Sequence, residues 1–413
     1  MSTEIQRAPG QPEAFTLHLN KAAQRALPWT GAQDAILSDA GYAVAKQTIS
    51  GWPGYARSPL EELPGLAADL GVSSIHFKDE GGRFGLGSFK ALGGAYAVAR
   101  LLQSEMGKSL GRAVGMEEVT GIAHPDLAGK ITVCCATDGN HGRSVAWGAR
   151  TFGCACVIFI HATVSEARKT AIEAYGAEVR RCDGNYDDSV REAQETATAE
   201  GWFVVSDTSY EGYMDVPKDV MQGYEIMAGE AFDELETPPT HIFLQTGVGG
   251  MAAAVTAQAK RRWGAKRPAI ILCDPDQSAC YLESFRAGAP AAVHGDLDTL
   301  MAGLACGEVS ALAWEILRDH ADAVVALTDD AAVGAMRRLA RPSAGDTPIV
   351  AGESAVAGVA VLTLLMADAE ARDMLQLDNH ARVLFFGTES DTDAELYERL
   401  VGMSAAEVRG STG

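Results

Sequence analysis

Residues 83–95 read Arg83-Phe-Gly-Leu-Gly-Ser-Phe-Lys-Ala-Leu-Gly-Gly-Ala95, a glycine-rich loop that carries one lysine, Lys90. The loop follows a strand-like run at residues 74–78, and the alanine- and leucine-rich residues 96–102 after it suit a helix. Lys90 is therefore predicted to lie near the start of a helix.

The surroundings of Lys90 favour the neutral form of its amine. The positive end of the helix dipole disfavours an ammonium group, and the apolar neighbours Phe89 and Leu92 add desolvation in the same direction. Schiff-base chemistry requires this neutral amine. The alternative is a solvated lysine beside a turn, because most lysines are exposed.

Length and charge limit the classes of protein to which the chain can belong. Its 413 residues are too many for one ordinary core and fit two domains. An apolar content of 47% and a charged content of 22% are typical of globular proteins. The net charge of −21 argues against a nucleic-acid partner, since phosphates would be repelled.

Other parts of the chain bear on location and metal binding. The longest apolar run, residues 355–367, is too short to span a bilayer and predicts a buried helix, so we expect no membrane association. The first residues lack an apolar signal segment, which favours a cytoplasmic location. The eight cysteines lack the paired spacing of a zinc site, so we expect buried thiols and no bound metal.

From residue 74 onward, apolar strand candidates alternate with alanine-rich helical segments. This alternation predicts an α/β fold with parallel sheets covered on both faces. The predicted strands lie at residues 74–78, 131–136, 156–160, 178–181, 203–205, 241–245, 270–273, 323–327 and 382–386. The predicted helices between them lie at residues 143–152, 166–175, 188–200, 251–263, 329–340 and 392–400.

The domain organisation is predicted from two seams, one near Lys90 and one at residues 210–217. We expect a small domain of residues 90–215 inserted into a large cofactor-binding domain made of residues 1–89 and 216–413. Residues 104–128 contain several glycines and little periodicity, and are predicted to form a loop or flap.

A second motif, Ala136-Thr-Asp-Gly-Asn-His-Gly142, directly follows a predicted strand and opens a helix. Successive backbone N–H groups at a helix start bind carboxylates or phosphates, and the glycines permit close approach. Asp138 and His141 add ionisable groups at the same place. The alternative is an ordinary turn in which Asp138 or Asn140 caps the helix.

A third motif, Leu244-Gln-Thr-Gly-Val-Gly-Gly-Met-Ala252, repeats the order of strand, glycine loop and helix. It is typical of a phosphate site made of backbone amides. It also fits G-x-G-x-x-A with an acidic residue, Asp274, after the next strand, so a dinucleotide site stays open.

A fourth stretch, Val383-Leu-Phe-Phe-Gly-Thr-Glu-Ser-Asp391, is an apolar strand that ends in hydroxyls and carboxylates. Open α/β sheets bind their ligands at such strand ends. The alternative is a capped turn before the last helix.

A lysine at a helix start, an anion loop and a phosphate loop together suggest pyridoxal phosphate as the cofactor. At these residues the chain resembles the fold-type II pyridoxal-phosphate enzymes of the tryptophan synthase β and serine/threonine dehydratase superfamily. Residues 88–90 resemble the Schiff-base motif of that group, and residues 139–142 resemble its asparagine loop.

Within this superfamily the chain is most similar to the diaminopropionate ammonia-lyase family. The similar stretches are residues 83–86, 90–96, 137–143, 185–188, 207–208, 211–213, 274–275, 301–308, 352–354 and 388–389. The resemblance implies two doubly wound open sheets with the cofactor between them, and a homodimer. The chain departs from the family at Gly87-Ser88, where some members carry asparagine and alanine. At these two residues the lysine loop is more similar to that of the serine/threonine dehydratases.

The resemblance also implies a role for each residue of the site. Lys90 would hold the cofactor as a Schiff base and act as base on one face of the substrate's Cα, and Asp138 would act as base on the other face. Asp207 would help to hold the substrate's second amino group. The implied cofactor-binding residues are Lys90, Phe89, Asn140, Gly247, Val248, Gly249, Gly250 and Thr388, with Asn140 at the ring hydroxyl and Thr388 at the pyridine nitrogen. The implied substrate-binding residues are Thr137, Asp138, Gly139, His141 and Asp207, and the family's cysteine pair would map to Cys280 and Cys306.

The expected activity is α,β-elimination of D- and L-2,3-diaminopropionate to pyruvate and two ammonia. Carboxylates such as Asp138 and Asp207 suit a β-ammonium group by charge, whereas a β-hydroxyl group would not need them. The alternative within the fold is a dehydratase of serine, threonine or another β-hydroxy amino acid. A nicotinamide-dependent dehydrogenase and a catalytically silent binding protein are alternatives of other classes.

Overall fold

A computed structural model describes residues 3–137, 139–162, 164, 166–184 and 186–410 of the chain. Their contacts divide the chain into two compact units. The first unit comprises Met1–Ile36, Arg57–Gly82 and Met227–Gly413, and the second comprises Leu37–Ala56 and Arg83–Ile226. The predicted domain boundaries at 89/90 and 215/216 lie 7 and 11 residues from the boundaries of this division at 82/83 and 226/227. The sequence did not indicate that residues 37–56 join the second unit.

The strands of the described chain are β1 (Glu4–Arg7), β2 (Phe15–Leu19), β3 (Leu60–Glu62), β4 (Ser74–Asp79), β5 (Thr132–Ala136), β6 (Ala155–Ile160), β7 (Glu178–Arg181), β8 (Phe203–Val204), β9 (His241–Gln245), β10 (Ala269–Pro275), β11 (Ala323–Leu327) and β12 (Arg382–Gly387).

The α-helices are α1 (Gly31–Ile36), α2 (Asp39–Ser50), α3 (Pro64–Leu70), α4 (Ala91–Leu110), α5 (Met116–Thr120), α6 (Pro125–Ala128), α7 (Asn140–Phe152), α8 (Glu166–Glu173), α9 (Tyr186–Glu200), α10 (Asp215–Glu234), α11 (Gly250–Trp263), α12 (Cys280–Ala287), α13 (Ala311–His320), α14 (Asp329–Ala340), α15 (Ala357–Ala367), α16 (Ala369–Leu375), α17 (Ala394–Val401) and α18 (Ala405–Gly410). Among the described residues, no helix combines the length and the apolar character needed to cross a membrane.

The first unit is built on one mixed sheet, with strand order β1-β2-β11-β10-β9-β12-β4-β3. The five strands from β11 to β4 run parallel, and β9, β10 and β11 are buried along their whole length. This agrees with the continuous apolar runs that predicted parallel strands. The sheet also contains edge strands that the sequence did not predict, since β2 pairs antiparallel with β11 and β3 pairs antiparallel with β4.

The second unit is built on a smaller sheet with strand order β7-β6-β5-β8, and all of its pairs are parallel. The buried faces of its strands pack with helix α9, through Cys134, Val157, Phe159, Ala193 and Ala197. An α/β fold with two open sheets, one in each unit, is therefore confirmed.

The prediction of a loop or flap at residues 104–128 is wrong. Helix α4 continues to Leu110, where Gly111 ends it in the left-handed conformation with φ 64°, and α5 and α6 follow. Met106 and Val119 are buried, so α4 and α5 each place an apolar side chain in the interior. The glycines that suggested a loop stand mostly at helix ends, where they serve as caps.

In the first unit, a buried ion network holds the strand that leads to the lysine loop. The Lys78 ammonium, fully buried at the end of β4, donates to the Ser58 carbonyl at 2.6 Å. It also lies 3.2 Å from the Glu230 carboxylate and 3.0 Å from that of Glu234, both on helix α10. Because a buried charge is costly unless it is paired, these contacts fix the end of β4 against the helix.

Candidate active site

The loop before Lys90 contains a sequence of unusual backbone conformations. Phe84, Gly85 and Gly87 have φ values of 52°, 71° and 77°. For Phe84 this conformation is strained, and its ring is held by Trp147 and Trp52, with centroids 5.0 Å and 5.9 Å away. Such strain persists only where the surrounding packing enforces it, and it is typical of functional loops.

Helix α4 begins at Ala91, so Lys90 occupies the N-cap position and the predicted helix start is confirmed. The helix packs closely because glycines replace side chains on it: a Cβ on Gly93 would run into the Tyr224 ring, and a Cβ on Gly94 would run into the Ser144 hydroxyl. This close packing makes Lys90 the first residue of a buried, rigid element.

Lys90, His141 and Asp207 form a cluster that we call the lysine centre. The Lys90 Nζ atom donates to Asp207 Oδ2 at 2.6 Å, and Nδ1 of His141 lies 3.8 Å from the same oxygen. His141 Nε2 lies 2.8 Å from the Val205 carbonyl, which can only accept, so this nitrogen carries the proton. Nδ1 therefore presents a lone pair, and this buried atom has no hydrogen-bond partner among the described residues.

The electrostatics of the lysine centre differ from the expectation drawn from the loop alone. Burial raises the pKa of Asp207, but the adjacent Lys90 ammonium and His141 lower it, and the net result lies below the ordinary value. Burial lowers the pKa of His141, which keeps this imidazole neutral. The Asp207 carboxylate favours the ammonium form of Lys90 and so opposes the helix dipole and the apolar neighbours.

Aromatic rings form the apolar wall of this centre. The rings of Phe89 and Tyr224 lie 4.6 Å apart, and Lys90 Nζ lies 5.4 Å and 5.8 Å from their centroids. Tyr224, on helix α10, was not predicted as a site residue. Its sequence position about 130 residues from Lys90 gave no signal, since only the tertiary fold brings the two together.

The turn between β5 and α7 carries the second predicted motif. Thr137 Oγ1 accepts hydrogen bonds from the Gly139 and Gly142 N–H groups at 3.2 Å and 3.4 Å, so Thr137 satisfies this helix start. The Asn140 side chain instead accepts from Arg143 at 2.6 Å. Asp138, predicted as the second base, lies outside the described residues.

The third motif is the turn between β9 and α11, whose residues 247–250 we call the glycine loop. Gly249 has φ 94°, and a Cβ there would run into the Tyr281 hydroxyl. A Cβ on Gly247 would lie 3.1 Å from Cys306 Sγ. Position 249 therefore requires glycine for both its conformation and its space, and position 247 leaves little room for a side chain.

The carbonyl of Val248 anchors the glycine loop. It accepts from the Ser310 N–H at 2.9 Å and from the Tyr281 hydroxyl at 3.0 Å. Among the residues that the structure describes, none accepts a hydrogen bond from the N–H groups of Gly247, Val248 or Gly249. A buried turn with its carbonyl held and its N–H groups unused at a helix start suits a phosphate group.

Asp274 does not lie where it could bind the ribose of a dinucleotide, which was the alternative considered for it. Its carboxylate is fully buried at the end of β10, accepts from the Thr246 hydroxyl, and accepts from the Leu282 N–H at 3.0 Å. Burial raises the pKa of Asp274 to about 7. A ribose-binding carboxylate must reach the ligand, whereas this one links Thr246, the residue before the glycine loop, to the first turn of α12.

At the end of β12, Thr388 is buried and its hydroxyl is held by Gln245. The Gln245 Nε2 atom donates to Thr388 Oγ1 at 2.9 Å and to the Phe386 carbonyl at 2.8 Å. Helix α17, the last long helix, is capped by Asp393, which accepts from the Leu396 N–H at 3.1 Å. Thr388 therefore does not serve as a helix cap, and Gln245 was not predicted as a site residue.

Cys280 and Cys306 are not joined by a disulfide in the structure, and both lie at the glycine loop. Cys280 Sγ contacts the Gly247 carbonyl at 3.6 Å. Burial raises the pKa of the Cys280 thiol well above its ordinary value, which keeps it protonated. Within the described part of the chain, no cluster of three or more His, Cys, Asp or Glu side chains could hold a metal ion.

The described residues fit pyridoxal phosphate on two observations. In the second unit, a lysine amine at a helix start contacts a carboxylate beside a buried histidine nitrogen with no partner. In the first unit, the glycine loop keeps side-chain volume away from N–H groups at a helix start. An amine for a Schiff base and amides for a phosphate are the two attachments that this cofactor requires.

The comparisons with known proteins agree with this chemistry. The family model described as pyridoxal-phosphate dependent enzyme matches residues 52–388. The chain therefore belongs to the family of pyridoxal-phosphate-dependent enzymes, and its fold is that of fold type II.

Within this family the resemblance to the diaminopropionate ammonia-lyases is confirmed. The chain is 40% identical to the diaminopropionate ammonia-lyase of Salmonella typhimurium over 362 residues, which cover 84% of this chain and 89% of the relative. It is 38% identical to that of Escherichia coli K12 over 379 residues, which cover 90% of this chain and 94% of the relative.

The chain is also similar to solved structures of a diaminopropionate ammonia lyase. Diaminopropionate ammonia lyase from Escherichia coli in complex with D-serine matches with a TM-score of 0.85 and 35% identity, over 97% of this chain and 98% of that chain. The same enzyme in complex with an aminoacrylate-PLP azomethine reaction intermediate matches with a TM-score of 0.84. A serine dehydratase-like protein of Mus musculus is 28% identical over only 54% of this chain, so the dehydratase alternative has weaker support.

Proposed function

We propose that this chain eliminates ammonia from 2,3-diaminopropionate, with pyridoxal phosphate as cofactor, to give pyruvate and two ammonia. The observation that carries the proposal is the partly buried Asp207 carboxylate in contact with the Lys90 amine, with the lone pair of His141 Nδ1 beside it. The similarity to the diaminopropionate ammonia-lyases supports the same substrate.

When bound, pyridoxal phosphate supplies the electron sink that allows a proton to leave Cα. We assign Lys90 to the Schiff base and to the base on one face of Cα, and Asp138 to the base on the other face. Two bases on opposite faces account for the use of both the D and the L isomer.

Asp207 and His141 give the centre its preference for a second amino group. The adjacent Lys90 ammonium lowers the pKa of Asp207 and burial raises it. Once the Lys90 amine is bound to the cofactor, the Asp207 carboxylate therefore needs another cationic partner to stay ionised. A β-ammonium group supplies that charge and can also donate to His141 Nδ1. A β-hydroxyl group supplies no charge, so the same centre suits it less well.

In the first unit we assign the cofactor's phosphate to the N–H groups of residues 247–250 and its pyridine nitrogen to Thr388. Asn140 and Phe89 of the second unit are assigned to the ring, and Thr137 and Gly139 to the substrate carboxylate. Glycine-loop amides at a helix start support the phosphate role, and a buried hydroxyl at a strand end supports the role of Thr388. The roles of the residues of the second unit rest on the family resemblance.

The experiment that tests the proposal counts both products. D- and L-2,3-diaminopropionate, and D- and L-serine as matched β-hydroxy substrates, are added separately to the cofactor-loaded protein while pyruvate and ammonia are measured. We expect two ammonia per pyruvate from both isomers of diaminopropionate, at higher kcat/KM than for serine. One ammonia per pyruvate, with serine as the better substrate, would identify a dehydratase instead.

We also propose a homodimer, on the family resemblance alone, and a cytoplasmic location. Sedimentation of the full chain over a range of concentrations tests the first, and localisation of the tagged protein in cells tests the second.

A further inference from the structure

The orientation of the Gln245 side-chain amide is fixed by the group that it contacts. Its side-chain amide contacts the Phe386 carbonyl at 2.8 Å, and a main-chain carbonyl can only accept. The contacting atom must therefore be the NH₂ group, not the amide oxygen. The two hydrogens of this group then satisfy two acceptors, the Phe386 carbonyl and Thr388 Oγ1.

This arrangement fixes the role of the Thr388 hydroxyl. An amide nitrogen has no lone pair to accept with, so Thr388 Oγ1 is the acceptor in the 2.9 Å contact. The hydroxyl proton must point to a different acceptor. Both side chains are about 4% exposed, so bulk water does not supply this acceptor. A buried hydroxyl proton without an acceptor would cost free energy of folding.

The backbone makes the arrangement rigid. Gln245 is the last residue of β9 and Thr388 follows the last residue of β12, and these two strands pair in parallel with Phe243 opposite Phe385. The Phe386 contact therefore fastens the Gln245 side chain to the strand that carries Thr388. A hydrogen bond donated by Gln245 also polarises the hydroxyl and strengthens it as a donor.

We propose that Gln245 is a positioning residue that holds the Thr388 hydroxyl as a hydrogen-bond donor toward the cofactor's pyridine nitrogen and so keeps that nitrogen unprotonated. The inference rests on the proposed function, which assigns Thr388 to the pyridine nitrogen. A donor hydroxyl is complementary to a nitrogen lone pair and not to an N–H group. Gln245 thereby tunes the electronics of the ring without touching it.

The protonation state of the ring nitrogen affects the balance between elimination and return of the proton to Cα. A neutral pyridine ring withdraws electrons less strongly than a protonated one. Expulsion of the β-substituent then competes better with return of a proton to Cα. Gln245 would thus favour elimination over exchange of the Cα proton and racemisation.

The test uses the full-length protein loaded with pyridoxal phosphate that carries ¹⁵N at the ring nitrogen. Solid-state ¹⁵N NMR reports the protonation of that nitrogen directly, without turnover. We expect the wild type to show the unprotonated resonance. In Gln245→Met, which keeps the volume and removes both donors, the protonated share should rise on the order of fivefold, as expected for one lost hydrogen bond.

Two further variants separate this role from a general loss of packing. Gln33→Met is the matched control, because Gln33 is also buried in the first unit and its Nε2 atom also donates twice, to the Glu315 carbonyl and the Asp319 carboxylate. It should lower the melting temperature but leave the ¹⁵N resonance unchanged. Thr388→Val removes the hydroxyl, so adding Gln245→Met to it should cause no further change in the resonance.

A product measurement gives the second readout. In deuterated water, the ratio of Cα deuterium exchange in recovered substrate to pyruvate formed should rise about fivefold in Gln245→Met and stay unchanged in Gln33→Met. If Gln245→Met does not fold, Gln245→Glu replaces it. Its carboxylate accepts the Thr388 proton, and the protonated share of the ring nitrogen should again rise.

The outcomes distinguish this inference from the proposed function. A protonated ring nitrogen in the wild type, or a wild-type resonance and exchange ratio in the Gln245 variants, would overturn the role of Gln245 while leaving the enzyme's activity in place. Bound cofactor without turnover of diaminopropionate would overturn only the substrate, since the NMR comparison still decides the role of Gln245. A wild type that retains no cofactor would overturn both.

Discussion

The lysine centre and the glycine loop are assigned to different parts of the cofactor and depend on different physical properties. The lysine centre depends on charge: an ammonium and a carboxylate 2.6 Å apart, beside a neutral imidazole. The glycine loop depends on space and backbone geometry: glycine at a φ of 94°, and a carbonyl held by two donors. Charged groups can change state during a reaction, whereas an anchored backbone cannot.

This contrast indicates which kind of substitution each region should resist. At the lysine centre a change of charge without a change of shape should be the most damaging. At the glycine loop a single methyl group should be damaging, although it alters no charge. Substitutions at Asp207, Gly249 and Asp274 test this division, with effects that decrease in that order.

The largest effect is expected for Asp207→Asn, which keeps the shape and removes the charge. The kcat/KM for diaminopropionate should fall about 10²- to 10³-fold, because the β-ammonium loses its charged partner. The kcat/KM for serine should fall less. Steady-state kinetics with both substrates measure the ratio of the two effects.

Asp219→Asn is the matched control for this variant. Asp219 also pairs with a base in the second unit, the Arg100 guanidinium at 3.3 Å, but lies outside the lysine centre. Its kinetics should stay at wild-type values. Equal losses for both substrates in Asp207→Asn would contradict the assignment of Asp207 to the second amino group.

An intermediate effect is expected for Gly249→Ala. The added methyl group meets the Tyr281 hydroxyl, and alanine is strained at a φ of 94°. The left-handed conformation alone costs about 1–2 kcal/mol, so the dissociation constant of the cofactor should rise about tenfold or more. Equilibrium titration of the cofactor-free protein with pyridoxal phosphate measures it.

Gly334→Ala provides the comparison for a glycine without these constraints. Gly334 lies in helix α14, where a Cβ would meet nothing within 4 Å. Its substitution should leave cofactor affinity unchanged and stabilise the helix slightly. Wild-type affinity in Gly249→Ala would show that the loop does not bind the cofactor as assigned.

The smallest effect concerns a buried carboxyl group at the glycine loop, that of Asp274. Its folded-state pKa of about 7 lies above the ordinary value, so its contribution to stability is fully present at low pH and is lost as pH rises through about 7. The wild type should therefore lose about 1 kcal/mol of unfolding free energy relative to Asp274→Asn between pH 6 and pH 8. Urea denaturation of both proteins at the two pH values tests this, and an equal difference at both would show that Asp274 does not titrate there.

The sequence predicted those features that depend on local pattern. The strands at 178–181, 241–245 and 323–327 have the predicted bounds, and for the last two the reason is that a parallel strand buried on both faces is a continuous apolar run. The position of Lys90 at a helix start followed from the glycines before it and the alanines after it. The family resemblance added Asp207, which no local pattern indicates.

The features that were missed depend on tertiary contacts. Gln245 could not be assigned because its importance comes from a strand that lies about 140 residues further along the chain. The contact of Lys90 with Asp207 could not be predicted either, because this carboxylate comes from a distant loop. Residues 104–128 were predicted to form a loop because the sequence alone does not distinguish a glycine that caps a helix from a glycine within a loop.

The covalent bond between the protein and its cofactor can be located directly. The protein loaded with pyridoxal phosphate is reduced with borohydride, which makes a Schiff base permanent, and its peptides are mapped by mass spectrometry. We predict that the pyridoxyl group is found on the peptide that contains Lys90, and that the same treatment of Lys90→Ala leaves no labelled peptide while Lys260→Ala is labelled like the wild type. A label on another lysine, or an unlabelled wild type, would contradict the assignment of Lys90 to the Schiff base.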